Sequence, residues 1–152
     1  MKKLIPLFGF SLSLMLSACK KDTPVTKTDL LTAGAWRIVA MTANPGIRDA
    51  NGVVVTDLLA LEPACFKDNL TRYEKPNTLT FDEGPTKCDP SSTQTTQHTW
   101  AFNADETVIN AVISGDKVDF TLLELTDSRL RYSYTEGAGA GGHTVTIVFN
   151  KK

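Results

Sequence analysis

The side chains that most often carry catalytic or metal chemistry are few in this sequence and widely spaced. The two histidines, His98 and His143, are far apart and have no cysteine or acid-rich pattern beside them, so we expect no metal site. Neighbouring acids at 82–83 and within 116–119 are the candidates for general acid–base work. Acids at this density are ordinary in turns and on surfaces. We therefore expect no catalytic residues, no cofactor and no enzymatic activity.

A glycine-rich segment at 136–143 has the sequence Glu-Gly-Ala-Gly-Ala-Gly-Gly-His. Glycine-rich loops cradle phosphate groups where a strand is followed by the amino terminus of a helix. Here a strand-like run follows the glycines, so the segment is predicted to be a hairpin loop.

The composition limits the classes of function. The chain has 152 residues, 41% of them hydrophobic and 22% charged, which is typical of one globular domain with a targeting segment. Sixteen basic residues against 17 acidic ones give a net charge of -1, without the basic excess that nucleic-acid binding needs. No apolar stretch approaches the roughly 20 residues of a membrane-spanning helix. We expect a monomeric domain without a nucleic-acid partner.

The amino terminus has a basic start, Lys2 and Lys3, and an apolar run at 4–16. This pattern is typical of a signal peptide. Residues 16–19, Leu-Ser-Ala-Cys, resemble the lipobox of bacterial lipoproteins. The resemblance implies cleavage before Cys19 and its lipidation, and two or more acyl chains would hold the protein firmly at a membrane. The alternative is an ordinary secretory signal with a coincidental cysteine.

Cleavage before Cys19 divides the chain into a signal peptide at 1–18, a flexible tether at 19–29 and a folded domain at 30–152. Lys20, rather than an aspartate, follows the cysteine. By resemblance to lipoprotein sorting rules, this implies export to the outer membrane. We expect the protein to be lipid-anchored in the bacterial cell envelope, with the membrane as its partner.

Cys65 and Cys88 are the remaining cysteines, and an even pair in an oxidising compartment favours a disulfide. Their midpoint falls at 76–77, a Pro-Asn turn signal between two strand-like runs. Residues equidistant from the turn of an antiparallel hairpin face each other. We therefore predict a disulfide between the two. A metal or redox site, the alternative, lacks the Cys-x-x-Cys or histidine partners that such sites use.

Alternation of apolar and polar residues predicts strands along most of the domain. The alternation is clearest at 117–122, 129–135 and 144–149, and it is typical of half-buried antiparallel strands. Together with less regular runs and the hairpin, the predicted strands are 35–42, 69–74, 78–82, 95–102, 107–113, 117–122, 129–135 and 144–149.

Eight consecutive strands with short loops predict an all-β fold, an antiparallel up-and-down eight-stranded barrel. Closure of the barrel removes the exposed edges of an open sheet. A two-sheet sandwich is the alternative. One short helical turn is predicted at 57–62, with Asp57 as its N-cap and Pro63 near its end.

Several segments resemble one family. Gly34-Ala35-Trp36, at the start of the first strand, resembles the Gly-x-Trp signature of lipocalins. Four further segments are similar to small lipocalin-like lipoproteins of the Bacteroidetes type, and these are 61–69, 79–84, 86–89 and 125–127. The resemblance implies a lipocalin-like β-barrel with an unknown or lipid-like ligand and without catalytic residues.

The interior of an eight-stranded barrel either fills with side chains or holds one small ligand. The residues predicted to bind a small hydrophobic ligand lie on the apolar phase of separate strands, and they are Phe81, His98, Trp100, Phe102, Phe120, Tyr132 and Tyr134. The alternative function is a protein-interaction or inhibitor module that uses the loops at 43–56 or 136–143. An apolar cavity above about 300 Å³ would favour ligand binding.

Overall fold

The computed structural model describes residues 24–137 and 141–152. The predicted signal peptide, Cys19, the first residues of the predicted tether and residues 138–140 of the glycine-rich loop lie outside these ranges. The described residues form nine strands in one antiparallel sheet. The strands are β1 (Ala35–Arg48), β2 (Val54–Asp57), β3 (Leu70–Glu74), β4 (Thr78–Asp82), β5 (Thr95–Phe102), β6 (Val108–Ile113), β7 (Asp116–Leu125), β8 (Arg129–Glu136) and β9 (His143–Lys151).

Eight of these strands close a barrel. Each strand from β3 to β9 pairs with the next one along the chain, and β1 completes the ring by pairing with both β3 and β9. The β1–β9 ladder runs from Trp36 to Asn44 of β1, whereas the β1–β3 ladder covers only Ala35–Arg37. The predicted all-β, up-and-down eight-stranded lipocalin-like barrel is confirmed, and the two-sheet sandwich is wrong.

The ninth strand, β2, lies where the sequence suggested a loop at 43–56. β1 continues beyond the predicted end at residue 42 and pairs with β2, with Ile47 opposite Val55 and Arg48 opposite Val54. β2 has only four residues and is mostly exposed, so it has no alternation to distinguish it from a loop. The segment assigned to the interaction-module alternative is therefore largely a β-hairpin.

Three short helical segments flank the sheet: α1 (Lys27–Thr32), a 3-10 helix (Leu59–Leu61) and α2 (Ala64–Lys67). The 3-10 helix lies inside the predicted helical turn at 57–62. α1 overlaps the end of the segment predicted as tether, and α2 has no predicted counterpart. Helices of four to six residues are too short to show helical periodicity. In the described part of the chain, no helix is long and apolar enough to cross a membrane.

α1 covers one end of the barrel. It begins at a capping box in which the Thr26 hydroxyl accepts a hydrogen bond from the Asp29 amide, while the Asp29 carboxylate accepts one from the Thr26 amide. The side chain of Leu31 is fully buried, and α1 contacts β3 and β7. The Lys75 ammonium lies 2.6 Å from the Asp29 carboxylate and joins α1 to the β3–β4 turn.

The core beneath this helix comes from alternate positions of the strands. Successive inward residues of β9 are almost completely buried, as the predicted period of two requires. The buried core cluster consists of Leu31, Trp36, Tyr73, Leu79, Trp100, Ile109, Ala111, Phe120, Leu130, Tyr132, Val145, Ile147 and Phe149.

Candidate ligand-binding site

A cavity of about 410 Å³ lies inside the barrel, toward the end opposite α1. α1 is joined to the β3–β4 turn through Lys75, whereas the cavity reaches Leu70 at the start of β3, Thr96 near the start of β5 and Glu83 just after β4. Its volume exceeds the threshold of about 300 Å³ that favours ligand binding. The lining residues are Ile38, Phe66, Asn69, Leu70, Thr71, Phe81, Glu83, Thr96, Tyr132, Ile147 and Phe149.

One wall of the cavity comes from three adjacent strands. Phe81 of β4 lies directly opposite Thr71 of β3 on one side and opposite Thr96 of β5 on the other. Directly opposite residues of an antiparallel ladder project to the same face of the sheet. The pairing register therefore places the phenyl ring of Phe81 between the small side chains of Thr71 and Thr96. This arrangement leaves space beside the ring.

The facing wall is apolar and comes from the strands where the barrel closes. Tyr132 of β8 lies opposite Ile147 of β9, and Phe149 of β9 lies opposite Ile38 of β1. Tyr132, Ile147 and Phe149 are buried, and Ile38 packs against the core. The space between the two walls is therefore bounded mainly by hydrocarbon.

Phe66 of α2 forms the third side of the cavity, and a disulfide fixes its position. Cys65 and Cys88 are bonded, with S–S 2.04 Å and Cα–Cα 5.2 Å, so the predicted pairing is confirmed. The bond joins α2 to the loop after β4. Assigned from its surroundings with the nitrogen toward these two carbonyl oxygens, the Asn69 side-chain amide donates hydrogen bonds to Glu83 at 2.9 Å and to Cys65 at 3.0 Å.

Because Gly84 has no side chain, the loop after β4 can approach the backbone of Asp68 closely. It has φ +68°, and a Cβ atom at this position would lie 2.5 Å from the carbonyl oxygen of Asp68. A side chain would therefore clash with backbone and require a strained conformation. We define the mouth of the cavity as the group Phe66, Asn69, Glu83 and Thr96. The disulfide and this close approach hold the first three together, and the β4–β5 ladder places Thr96 opposite Phe81.

Glu83 carries the only carboxylate among the lining residues, and none of them is a lysine, arginine or histidine. Its Oε2 accepts a hydrogen bond of 3.3 Å from the amide of Cys88. The neighbouring acid, Asp82, belongs to the other face of β4, where the Arg72 guanidinium lies 2.6 Å away and lowers the pKa of the Asp82 carboxyl. Asp82 is thus paired with a cation, whereas the cavity supplies none to Glu83.

Tyr132 supplies a hydroxyl to the apolar wall. Burial raises the pKa of Tyr132 well above its usual value, and the nearby Tyr73 raises it further. Burial likewise raises the pKa of Tyr73. Both phenols are therefore neutral at physiological pH, so the Tyr132 side of the cavity is uncharged.

Two of the residues predicted to bind ligand, Phe81 and Tyr132, line the cavity, and the other five do not. Trp100 packs edge-on against Tyr73 and Phe102, with ring centroids 5.4 and 5.5 Å apart. Its indole nitrogen donates a hydrogen bond of 3.2 Å to the carbonyl oxygen of Glu74, next to the β3–β4 turn that α1 contacts. Trp100 and Phe102 therefore pack near the α1 end of the barrel.

The remaining predicted residues, Phe120, Tyr134 and His98, do not line the cavity. Phe120 lies against Tyr132 and Tyr134, at centroid distances of 4.5 and 5.8 Å. The His98 ring lies tilted against Phe81 at a centroid distance of 5.1 Å, and its Nδ1 accepts a hydrogen bond of 3.3 Å from the amide of Ser114. His98 and Phe120 therefore contact the two predicted lining residues, whereas Tyr134 contacts Phe120 and lines a separate depression beside β7 and β8.

The nine lining residues that were not predicted differ in how far the sequence could have shown them. Ile147 and Phe149 were on the apolar phase of a predicted strand, so alternation could have included them. Phe66 and Glu83 were detectable only through the cysteine pair, because the disulfide and the Cys88 amide bring them to the cavity.

Within residues 24–137 and 141–152, no three histidine, cysteine, aspartate or glutamate side chains are grouped so that they could hold a metal ion. His143 instead contacts the backbone, with Nδ1 2.8 Å from the carbonyl oxygen of Pro45. Comparisons of the chain with known protein families and with curated proteins found no match.

Proposed function

We propose that this chain is a non-enzymatic binding protein that holds a small hydrophobic molecule inside its barrel. The cavity of about 410 Å³ between two largely apolar walls carries this proposal. Small-molecule pockets have volumes of about 300–1,000 Å³ and are mainly apolar with a few polar groups. The cavity is near the lower limit, which favours a ligand with a short hydrocarbon part.

The second part of the proposal is that Cys19 anchors this lipocalin-like protein to the outer membrane of the bacterial cell envelope. It rests on the resemblance of residues 16–19 to a lipobox. The described chain enters the barrel through α1, at the end opposite the mouth. An anchor on that side would leave the mouth accessible to ligand.

Displacement of an apolar dye tests the binding function. The mature chain with Cys19→Ser is the suitable sample, since neither its own lipid nor detergent then competes for the cavity. N-phenylnaphthylamine fluorescence should increase on binding, and octanol should reverse the increase. Ile147→Phe fills the cavity from its apolar wall and should weaken dye binding about tenfold or more.

Val112→Phe is the matched control for this filling variant. Val112 is 38% exposed, so the larger ring enters solvent and dye binding should stay unchanged. Absence of dye binding by the folded wild type, or equal binding by the wild type and Ile147→Phe, would reject the proposed function.

Metabolic labelling with a radioactive fatty acid tests the anchor separately. Wild-type protein should incorporate the label and sediment with membranes. Cys19→Ser should lose both properties, because it has no acceptor thiol. Unchanged labelling of Cys19→Ser would exclude this cysteine as the lipid acceptor.

A further inference from the structure

Most of the polar side chains that line the cavity lie at its mouth, and they present mainly hydrogen-bond acceptors. Glu83 contributes a carboxylate, which only accepts hydrogen bonds, and Thr96 contributes a hydroxyl that can accept or donate. In its assigned orientation, the Asn69 amide nitrogen donates to two backbone carbonyls. The mouth therefore offers a ligand mainly hydrogen-bond acceptors.

The charge near the mouth is negative. Asp68 lies close to the residue that follows Glu83, since its Oδ1 would be 3.0 Å from a Cβ atom on Gly84. This Oδ1 is buried and has no hydrogen-bond partner within the described protein. Asp68 is therefore a second carboxylate beside the loop that carries Glu83, although it does not line the cavity itself.

The nearest basic side chains along the chain do not line the cavity. The Lys87 ammonium donates hydrogen bonds to the backbone carbonyls of Pro90 and Ser92. Arg72 pairs with Asp82 on the other face of the sheet. Lys67 is exposed and lines a separate surface depression beside β1. An anionic head group entering the mouth would thus meet carboxylates without a lining cation.

We propose that the ligand is an amphiphile with a cationic amine head group, which lies against Glu83 at the mouth while its hydrocarbon chain fills the space between the two walls. This inference rests on the proposed binding function and specifies its ligand class. An ammonium group donates up to three hydrogen bonds and satisfies acceptors on several sides. An alcohol retains a hydrogen bond but gains no ionic attraction, and a carboxylate is repelled.

Three probes with the same chain length test the preference: octylamine, octanol and octanoate. Each is titrated into the dye complex of the mature chain carrying Cys19→Ser, at low ionic strength and neutral pH, where both ionisable head groups are charged. Octylamine should bind most tightly and octanoate most weakly, with about a tenfold or larger ratio between them. Added salt should reduce that ratio, because it screens charges at a solvent-accessible mouth.

Glu83→Gln identifies the group responsible. The glutamine keeps a side-chain acceptor for the Cys88 amide but has no charge. Octylamine affinity should fall about tenfold, octanoate affinity should rise, and octanol affinity should change little. Asp105→Asn is the matched control: it removes one negative charge from an exposed site in the β5–β6 loop and should leave all three affinities unchanged.

The possible outcomes distinguish failure of this inference from failure of the proposed binding function. If the dye does not bind, or if none of the three probes displaces it, the proposed function fails. If octanol binds but wild-type protein binds octanoate as tightly as octylamine, the binding function stands and the head-group inference is overturned. An unchanged order of affinities in Glu83→Gln would likewise overturn the role of Glu83.

Discussion

The indole nitrogen of Trp36 donates a hydrogen bond of 2.8 Å to the carbonyl oxygen of Leu31, and both side chains are completely buried. Leu31 lies in the last turn of α1, where carbonyl groups have no partner within the helix. Trp36 therefore packs in the barrel core and also satisfies a helix carbonyl. This contact attaches α1 to the first strand at the end of the barrel opposite the cavity.

Removal of Trp36 should strongly destabilise the domain. Trp36→Ala should lower the free energy of unfolding by about 3–5 kcal/mol, because it leaves a cavity and an unpaired carbonyl. Trp36→Phe keeps much of the volume and should cost less. Urea unfolding followed by circular dichroism measures both losses.

Leu123→Ala is a suitable control for this measurement. Leu123 is 45% exposed, so its truncation should change stability by about 0.5 kcal/mol or less. A loss below about 1 kcal/mol in Trp36→Ala would show that this end of the barrel contributes little to stability.

Most of the barrel could be predicted because its strands are half-buried. The predicted bounds of β5 agree with the structure, and those of the cysteine-linked hairpin are within one residue. The paired residues of β3 and β4, such as Thr71 and Phe81, flank the same turn that the midpoint of the cysteines indicated. β2 and α2 were missed because they are short and are defined by contacts with distant residues.

The candidate site was less predictable than the fold. Period-two alternation separates the inner face of a strand from the outer face, but it does not give the depth of a residue along the barrel. The side chains of Trp100 and Phe81 both lie on the inner face of their strands, yet Trp100 packs toward the α1 end and Phe81 lines the cavity. Register and loop contacts decide depth, and Phe66 and Glu83 reach the mouth through such contacts.

The stability of the α1 end should depend on pH through Asp29. Hydrogen bonds from Lys75 and Thr26 hold the pKa of the Asp29 carboxyl well below its usual value. Because the pKa is lower in the folded than in the unfolded state, the stabilisation is complete above the ordinary aspartate pKa and is lost as the pH falls below about 4. At pH 7, Asp29→Asn should therefore be less stable than wild type.

Urea unfolding at pH 7 and pH 3 measures this dependence. The difference in stability between the wild type and Asp29→Asn should shrink as the pH falls, and Lys75→Met should show the same trend. Lys152→Met, at the chain end, serves as a control for the loss of a lysine. A difference that does not change with pH would exclude Asp29 ionisation as its cause.

The Cys65–Cys88 disulfide should affect both stability and ligand binding. The double variant Cys65→Ser with Cys88→Ser should lose about 2–5 kcal/mol of unfolding free energy, because its unfolded chain is no longer cross-linked. Dye affinity should fall as well, since Cys65 precedes Phe66 at the mouth and Cys88 positions the Glu83 carboxylate. Urea unfolding and dye titration of the same samples measure the two effects.

Phe66→Ala with the disulfide intact separates the two effects. Phe66 is only partly buried, so this variant should lose less stability than the double serine variant but should still bind dye more weakly, because one side of the cavity is shortened. If Phe66→Ala binds dye as wild type does, Phe66 does not contribute to the site. Intact-mass analysis of exported wild type supplies the remaining check, since two alkylated thiols without reductant would show that the bond does not form.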